Sequence, residues 1–246
     1  MKRLTVSELE TYSRCPMEYR LKYTMNVPSQ SLPTSDNNQL AGNVLGDVVH
    51  ACICSQLLYP KLSLDQIIQR HLIDRDIMRV VSEQNDIKEM CQRAIHFHKE
   101  RSWINFQTEV PFVLQLGENT INGTIDFIGQ DSEGWHIVDY KTDRLASHKD
   151  IPERAKSYEL QMMAYAIAAQ KSELAPIKDV TLLFLRLNQS VLFPITEQVM
   201  TTAQLQIREV ATAIGIPNAA STKAPPCRTC PYHHNHMCWE DRLKTA

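Results

Sequence analysis

Along the chain the apolar positions take two textures in turn, helical spacing first and strand-like runs later. In LETYSRCPMEYRLKY the spacing is helical, with Ser7-Glu-Leu-Glu10 reading as a capping box at its start and Pro16 interrupting it. The pattern predicts two short helices with Cys15 at their joint. Residues 28–40, PSQSLPTSDNNQL, are rich in Ser, Pro and Asn and read as an exposed loop. From Ala41 to Leu58 the residues Val44, Leu45, Val48, Val49, Cys52 and Ile53 return to helix spacing, with His50 in their midst. Ser63-Leu-Asp-Gln66 resembles a second capping box, opening a helical region that runs with breaks to about Ile104.

Beyond that point the texture changes. TEVPFVLQL (108–116), TINGTIDFIG (120–129) and WHIVDYK (135–141) are short, rich in β-branched and aromatic residues, and separated by the turn signals GEN and DSEG. Three consecutive antiparallel strands are expected. A helix over about Ile151–Leu174 follows, then strands at VTLLFLRL (180–187) and VLFPI (191–195), then a helix from about Thr196 to Ile214. The stretch PNAASTKAPP (217–226) breaks that helix before a Cys-rich end, and there is no internal repeat.

Composition narrows the class. With 246 residues, 43% hydrophobic, 22% charged and only 7 Gly, the chain can bury a sizeable core as one large domain or two small ones. No apolar run approaches the roughly 20 residues of a membrane span, and MKRLTVSELE lacks the apolar core of a signal peptide, so a soluble cytoplasmic protein with no membrane partner is expected. A formal charge of -2 argues against coating nucleic acid by bulk electrostatics and leaves room for a local basic groove or a metal-bridged phosphate site. The 7 Cys, without a secretion signal, point to reduced thiols or metal ligands rather than a disulfide framework.

Strand geometry then brings chemistry into view. Successive strand side chains alternate faces, so Asp139 and Lys141 share one face while Val138 and Tyr140 take the other. A hairpin can bring Asp126 of the preceding strand across from Asp139. Carboxylates held together raise each other's pKa unless a cation lies between them, and the natural occupant is Mg2+ or Mn2+. Such an ion binds a phosphate oxygen and acidifies a water, which Lys141 can orient, and the chemistry this suits is phosphodiester hydrolysis. A lone D-x-K reads better as a partly buried Asp–Lys ion pair at a strand end. His50 alone reads as a core histidine, and Gln161 and Tyr165, at i and i+4, as the polar edge of an amphipathic helix.

The C-terminus carries Cys227-x2-Cys230-x7-Cys238, three thiolates and thus one short of a closed tetrahedral site. Either the fourth ligand comes from elsewhere in the chain or one of His233, His234 and His236 completes a local zinc knuckle, and spacing alone does not separate zinc from an iron–sulfur cluster. Cys52, Cys54 and Cys91 lie in apolar helical segments and read as packing residues. No G-x-x-x-x-G-K-[ST] phosphate loop is present, so the chain carries no motor signature of its own.

The helix with His50, Glu109 in EVPF, Gly123-x-x-Asp126, Asp139-Tyr-Lys141 and Gln161-Met-Met-Ala-Tyr165, in that order over about residues 42–166, resemble the RecB-like branch of the PD-(D/E)XK nuclease superfamily. VDYKTDR and LQMMAYA are similar to the nuclease modules of bacterial recombination helicase-nucleases, although many family members have Glu where Asp139 stands. The resemblance implies an α/β fold with a restriction-endonuclease-like αβββαβ core and a helical N-terminal region. It makes His50, Asp126, Asp139 and the backbone carbonyl of Tyr140 metal ligands for Mg2+ or Mn2+, Lys141 the catalytic lysine and Glu109 an acidic residue near the metal. Gln161 and Tyr165 become DNA contacts. Cys15 with Cys227, Cys230 and Cys238 is similar to the one-plus-three cysteine layout of the branch's 4Fe-4S nucleases, with zinc the competing occupant. On that pattern residues 1–40 and 215–246 form a cluster clasp around a nuclease core at 41–214, in a single domain spanning 1–246. The function implied is a metal-dependent deoxyribonuclease, an exonuclease on single-stranded DNA or free ends in recombination, repair or defence, with a helicase as partner. A CRISPR-adaptation nuclease and a non-catalytic DNA-end-binding subunit are the alternatives.

Overall fold

In the computed structural model, the described residues are 2–28, 40–77, 83–172, 174–214, 230–234 and 237–238. The chain opens with a strand the periodicity did not predict, β1 (Lys2–Thr5), whose four residues are too few to show alternation. Helix α1 (Val6–Arg14) starts two residues earlier than expected, because Thr5 and Glu8, not Ser7 and Glu10, form the capping box. The Thr5 N–H donates to Glu8 Oε2 at 2.7 Å, and Thr5 Oγ1 accepts from the Glu8 N–H at 3.1 Å. Cys15, extended at φ -158° and ψ 109°, ends α1 and caps α2 (Pro16–Tyr19), so the predicted joint is present. A single π-helical turn (Arg20–Thr24) follows.

Helices α3 (Gly42–Leu58), α4 (Leu64–Asp74) and α5 (Gln84–Lys99) match the expected helical half, although the Ser63 side chain makes no capping bond. Strands β2 (Asn105–Leu116), β3 (Asn119–Gln130) and β4 (Trp135–Lys141) are antiparallel neighbours, as predicted. The expected single helix over 151–174 is two, α6 (Ile151–Ser157) and α7 (Glu159–Gln170), broken at Tyr158. They cross over to β5 (Ile177–Phe184), parallel to β4, and β6 (Gln189–Pro194) returns antiparallel. Helix α8 (Glu197–Ala213) and the short α9 (Pro231–His234) follow, and a 3-10 turn (His148–Asp150) precedes α6. The 217–226 stretch lies outside the described residues, as do residues 29–39 of the predicted loop.

The sheet runs β1-β3-β4-β5-β6, with β2 also paired to β3. Since β2 occupies one edge of β3 along its length, β1 and β4 must share the other: β1 pairs with Asn119–Asn122 and β4 with Phe127–Gln130. Between them the β3 edge over residues 123–126 is unpaired, and β4 leaves it after Val138. Helices cover both faces. One core joins α1, α7 and α8 to Ile121, Ile125, Ile137, Val180 and Leu182; the other sets α3, α4 and α5 on Phe127, Val138, Tyr140, Leu183 and Leu185. Leu45, Val48, Val49, Cys52 and Ile53 bury the inner stripe of α3, and full burial contributes about 1.5–3 kcal/mol per aliphatic side chain. That stripe fixes the helix that carries His50; Val49→Asp, placing a charge at a fully buried position, would break it. On the opposite face Gly123 leaves room for α1 and Phe112: a Cβ there would lie 2.9 Å from the Phe112 ring and 3.0 Å from Val6. No helix among the described residues is long and apolar enough to cross a membrane.

Candidate active site

The gap between β1 and β4 is where the candidate residues meet. The register that pairs Phe127 with Val138 carries Asp126 opposite Asp139, but the β3–β4 ladder ends at that pair while β4 stays paired to β5 as far as Lys141. The Tyr140 N–H donates to the Asp126 side chain, at 2.8 Å from Oδ2, so the β4 backbone is held there by a carboxylate. His50, reaching in from α3, places Nδ1 3.3 Å from Asp126 Oδ1 and Nε2 2.9 Å from the Tyr140 carbonyl oxygen. Glu109 faces Asp126 across the β2–β3 pair, skipped by the ladder and held at φ 51°, a left-handed conformation uncommon for a residue with a side chain. His50, Glu109 and Asp126 offer ligand atoms all within 4.8 Å of one another, a spacing suited to one metal ion.

The electrostatics follow from burial under competing charges. Desolvation alone would keep His50 neutral, yet the carboxylates of Asp126 and Asp139 outweigh it and raise its pKa to about 9. Burial likewise acts to raise Asp126, but the His50 charge prevails and holds it below the usual range. Asp139, 2% exposed, goes the other way: burial lifts it to about 7, with Lys141 opposing and Asp126 adding to the rise. Glu109 is also raised, by burial and then by the negative charge of Asp126.

Lys141 anchors the other half of the site. Its Nζ lies 2.7 Å from Asp139 Oδ2 and donates to Gln161 Oε1 at 2.9 Å, and Gln161 Nε2 donates to the Tyr165 hydroxyl at 2.7 Å. Burial acts to neutralise the amine, but Asp139 and Asp126 overcome it and raise its pKa. The i, i+4 pair on α7 therefore faces the lysine, and Tyr165, 5% exposed, packs edge-on to Phe112 with ring centroids 5.6 Å apart.

Several neighbours were not read from the sequence. Glu10 on α1 carries a carboxyl raised by burial and countered by Lys141, Arg14 and Arg154, so it belongs to this charge cluster. Assigning it to a capping box concealed that. Asp143 continues the alternation of Asp139 and Lys141 and could have been found from it. Tyr158, which meets Lys141 and Asp143 through the α6–α7 break, left no local signal. A cleft of about 670 Å³ opens over His50, Tyr140, Lys141, Asp143 and Tyr158 and is walled by the start of α3.

Of the four predicted cluster cysteines, Cys227 lies outside the described residues. Burial pushes the Cys15 thiol up, against backbone N–H groups of Glu18 and Met17, and nearby Cys230 adds to the rise. Tyr232, 1% exposed, donates its hydroxyl to the Val27 carbonyl at 3.0 Å, and its own carbonyl accepts from the Met237 and Cys238 N–H groups at 2.9 and 3.2 Å. The tail around Cys230 and Cys238 is thus docked on the N-terminal helices.

A mixed sheet flanked by helices thus gathers carboxylates, an imidazole and a lysine where two of its strands part. The family model of the PD-(D/E)XK nuclease superfamily matches residues 3–235, and the chain belongs to that superfamily. Among solved structures, that of a "Putative exonuclease" from Eubacterium rectale is similar in fold, with TM-score 0.55 and 12% identity over 95% of this chain and 88% of that one. SSO0001 matches at TM-score 0.38 and 15% identity, covering 88% of this chain and 91% of its own. No curated protein matches the chain.

Proposed function

We propose that the chain is a divalent-metal-dependent deoxyribonuclease of the RecB-like branch, acting as an exonuclease on single-stranded DNA or free ends in recombination, repair or defence. The observation that carries this reading is the meeting of His50, Glu109, Asp126 and the Tyr140 carbonyl beside the Asp139–Lys141 pair. Carboxylate and carbonyl oxygens with one imidazole nitrogen suit Mn2+ or Mg2+. When bound, the ion supplies Lewis acidity and an acidified water. His50, Asp126, Asp139 and the Tyr140 carbonyl would hold it, and Glu109 would act beside it through water. Lys141, kept charged by its two carboxylates, would orient a water or stabilise negative charge on the phosphate. Gln161 and Tyr165 steady the lysine and border the DNA path.

The same reading makes Cys15, Cys227, Cys230 and Cys238 ligands of a 4Fe-4S cluster, with zinc the competitor, and residues 1–40 and 215–246 one clasp on a core at 41–214. In its support, Cys230 lies near Cys15 and Tyr232 ties the tail to Val27. Tyr19 and Tyr23, with ring centroids 5.2 Å apart beside the clasp, would offer faces on which DNA bases stack. The protein would work in the cytoplasm, and unwinding would come from a partner helicase.

The test is anaerobic purification, assay of iron, sulfide and zinc, and cleavage of labelled single- and double-stranded DNA with Mg2+ or Mn2+. Metal-dependent cleavage that Lys141→Ala reduces by roughly two to three orders of magnitude is expected. Equal activity in both proteins sinks the mechanism, and zinc without sulfide rejects the cluster.

A further inference from the structure

A lysine ammonium on a flexible four-carbon stem is useful in a reaction only if something fixes where it points. Asp139 and Gln161 hold Lys141 by two polar contacts. A third neighbour belongs to none of the motifs: the ring of Tyr158, whose centroid lies 4.1 Å from Nζ. Tyr158 sits at the break between α6 and α7, is 7% exposed and lines the cleft.

The ring is itself locked. Its hydroxyl donates to the Asp143 carboxylate, at 3.0 and 3.1 Å from the two oxygens, and accepts from Arg154. Arg154 also bonds Asp143, at 2.8 Å from Nε, and lies over the same ring at 4.5 Å. Asp143 is two residues past Lys141, so the lock closes on the segment that carries the lysine.

We propose that Tyr158, held by Asp143 and Arg154, is a positioning residue for Lys141: its ring face sets where the ammonium meets a bound phosphate. The inference rests on Lys141 being the catalytic lysine. A cation drawn to a ring's negative face loses the freedom to swing out of the cleft, and misplacement by about 1 Å can cost on the order of a hundredfold in rate.

The experiment compares Tyr158→Leu, Tyr158→Phe and Asp143→Ala with wild type and Lys141→Ala, measuring kcat, KM for a labelled oligonucleotide and Mn2+ affinity by calorimetry. Tyr158→Leu is expected to lower kcat about ten- to a hundredfold while KM and Mn2+ affinity stay within about threefold. Tyr158→Phe keeps the ring and loses the hydroxyl lock, so it recovers part of that loss and stays about three- to tenfold below wild type, as Asp143→Ala does. Should Tyr158→Leu fail to fold, Asp143→Ala decides, since it unlocks the ring without removing it and lowers kcat about three- to tenfold at constant KM. Wild-type kcat in Tyr158→Leu, or in Asp143→Ala if it must decide, overturns the proposal, as does Tyr158→Phe falling as far as Tyr158→Leu. Equal cleavage by wild type and Lys141→Ala is a different failure, that of the lysine's assigned role.

Discussion

His50 and His98 stand on helices packed against the same face of the sheet, and both bond to Tyr140: His50 through the carbonyl at 2.9 Å, His98 through the hydroxyl at 2.7 Å. Their charges nevertheless diverge. Burial, with a small push from Arg101, drives His98 down to about 3, so it stays neutral. His50 meets the same penalty but faces Asp126 and Asp139 and is carried up to about 9. Burial alone therefore makes an inert core histidine, and what distinguishes the candidate site is buried negative charge that draws a cation in.

Removing that charge gives the largest expected effect. Asp126→Asn keeps an acceptor for the Tyr140 N–H but strips the carboxylate from the cluster, so His50 should fall towards the behaviour of His98. Nuclease activity should drop by roughly a thousandfold with weakened Mn2+ binding, and Tm should fall as well, because the buried pair with His50 is broken. Calorimetric Mn2+ titration and a cleavage assay check both. Unchanged activity would mean that the two histidines differ in charge without a difference in use.

A smaller effect tests the other histidine. The pKa of His98 in the fold, about 3, lies below its ordinary 6.5, so the unfolded chain binds the proton first. Its contribution is fully present above pH 6.5 and is lost as the pH falls through that value towards 3, with a slope of at most about 1.4 kcal/mol per pH unit. Urea melts between pH 7 and about 5 should show this slope in the difference between wild type and His98→Gln, since Asp139, raised to about 7, titrates in the same window with the opposite sign in both proteins and cancels. An equal slope in both proteins would show that His98 is not the group responsible.

How far the sequence led is instructive in particular residues. Alternation put Asp139 and Lys141 on one face, and the structure pairs them with each other beside Asp126, with Lys141 also bonded to Gln161. The antiparallel hairpins and the long helices were legible because their periods run over many residues. Strand β1 was not, because its place is set by pairing with β3, far away in sequence. Two overlapping patterns, Thr5-x-x-Glu8 and Ser7-x-x-Glu10, match the same capping-box signature; the structure uses the first, and Glu10 lies within reach of the Lys141 charge. Tyr158 was hidden for a similar reason, since it acts through a break in what looks like continuous helix.

The smallest expected effect concerns the backbone that aims Glu109. At φ 51° any residue with a Cβ is strained by roughly 1 kcal/mol or more, and glycine is not. Elsewhere in a strand Ala outlasts Gly by about 0.5–1 kcal/mol. Glu109→Gly and Glu109→Ala both remove the carboxylate, so their difference isolates the conformation, and here the usual order should reverse, with Gly more stable by about 1 kcal/mol. For a chain of this size that is about 2–4 °C in Tm, readable by calorimetry. Both variants should lose activity to a similar extent, because the strain has value only through the carboxylate it presents to Asp126. A more stable Ala variant would show that the left-handed turn at Glu109 is not enforced, and the metal-side cluster would then be less fixed than the lysine side.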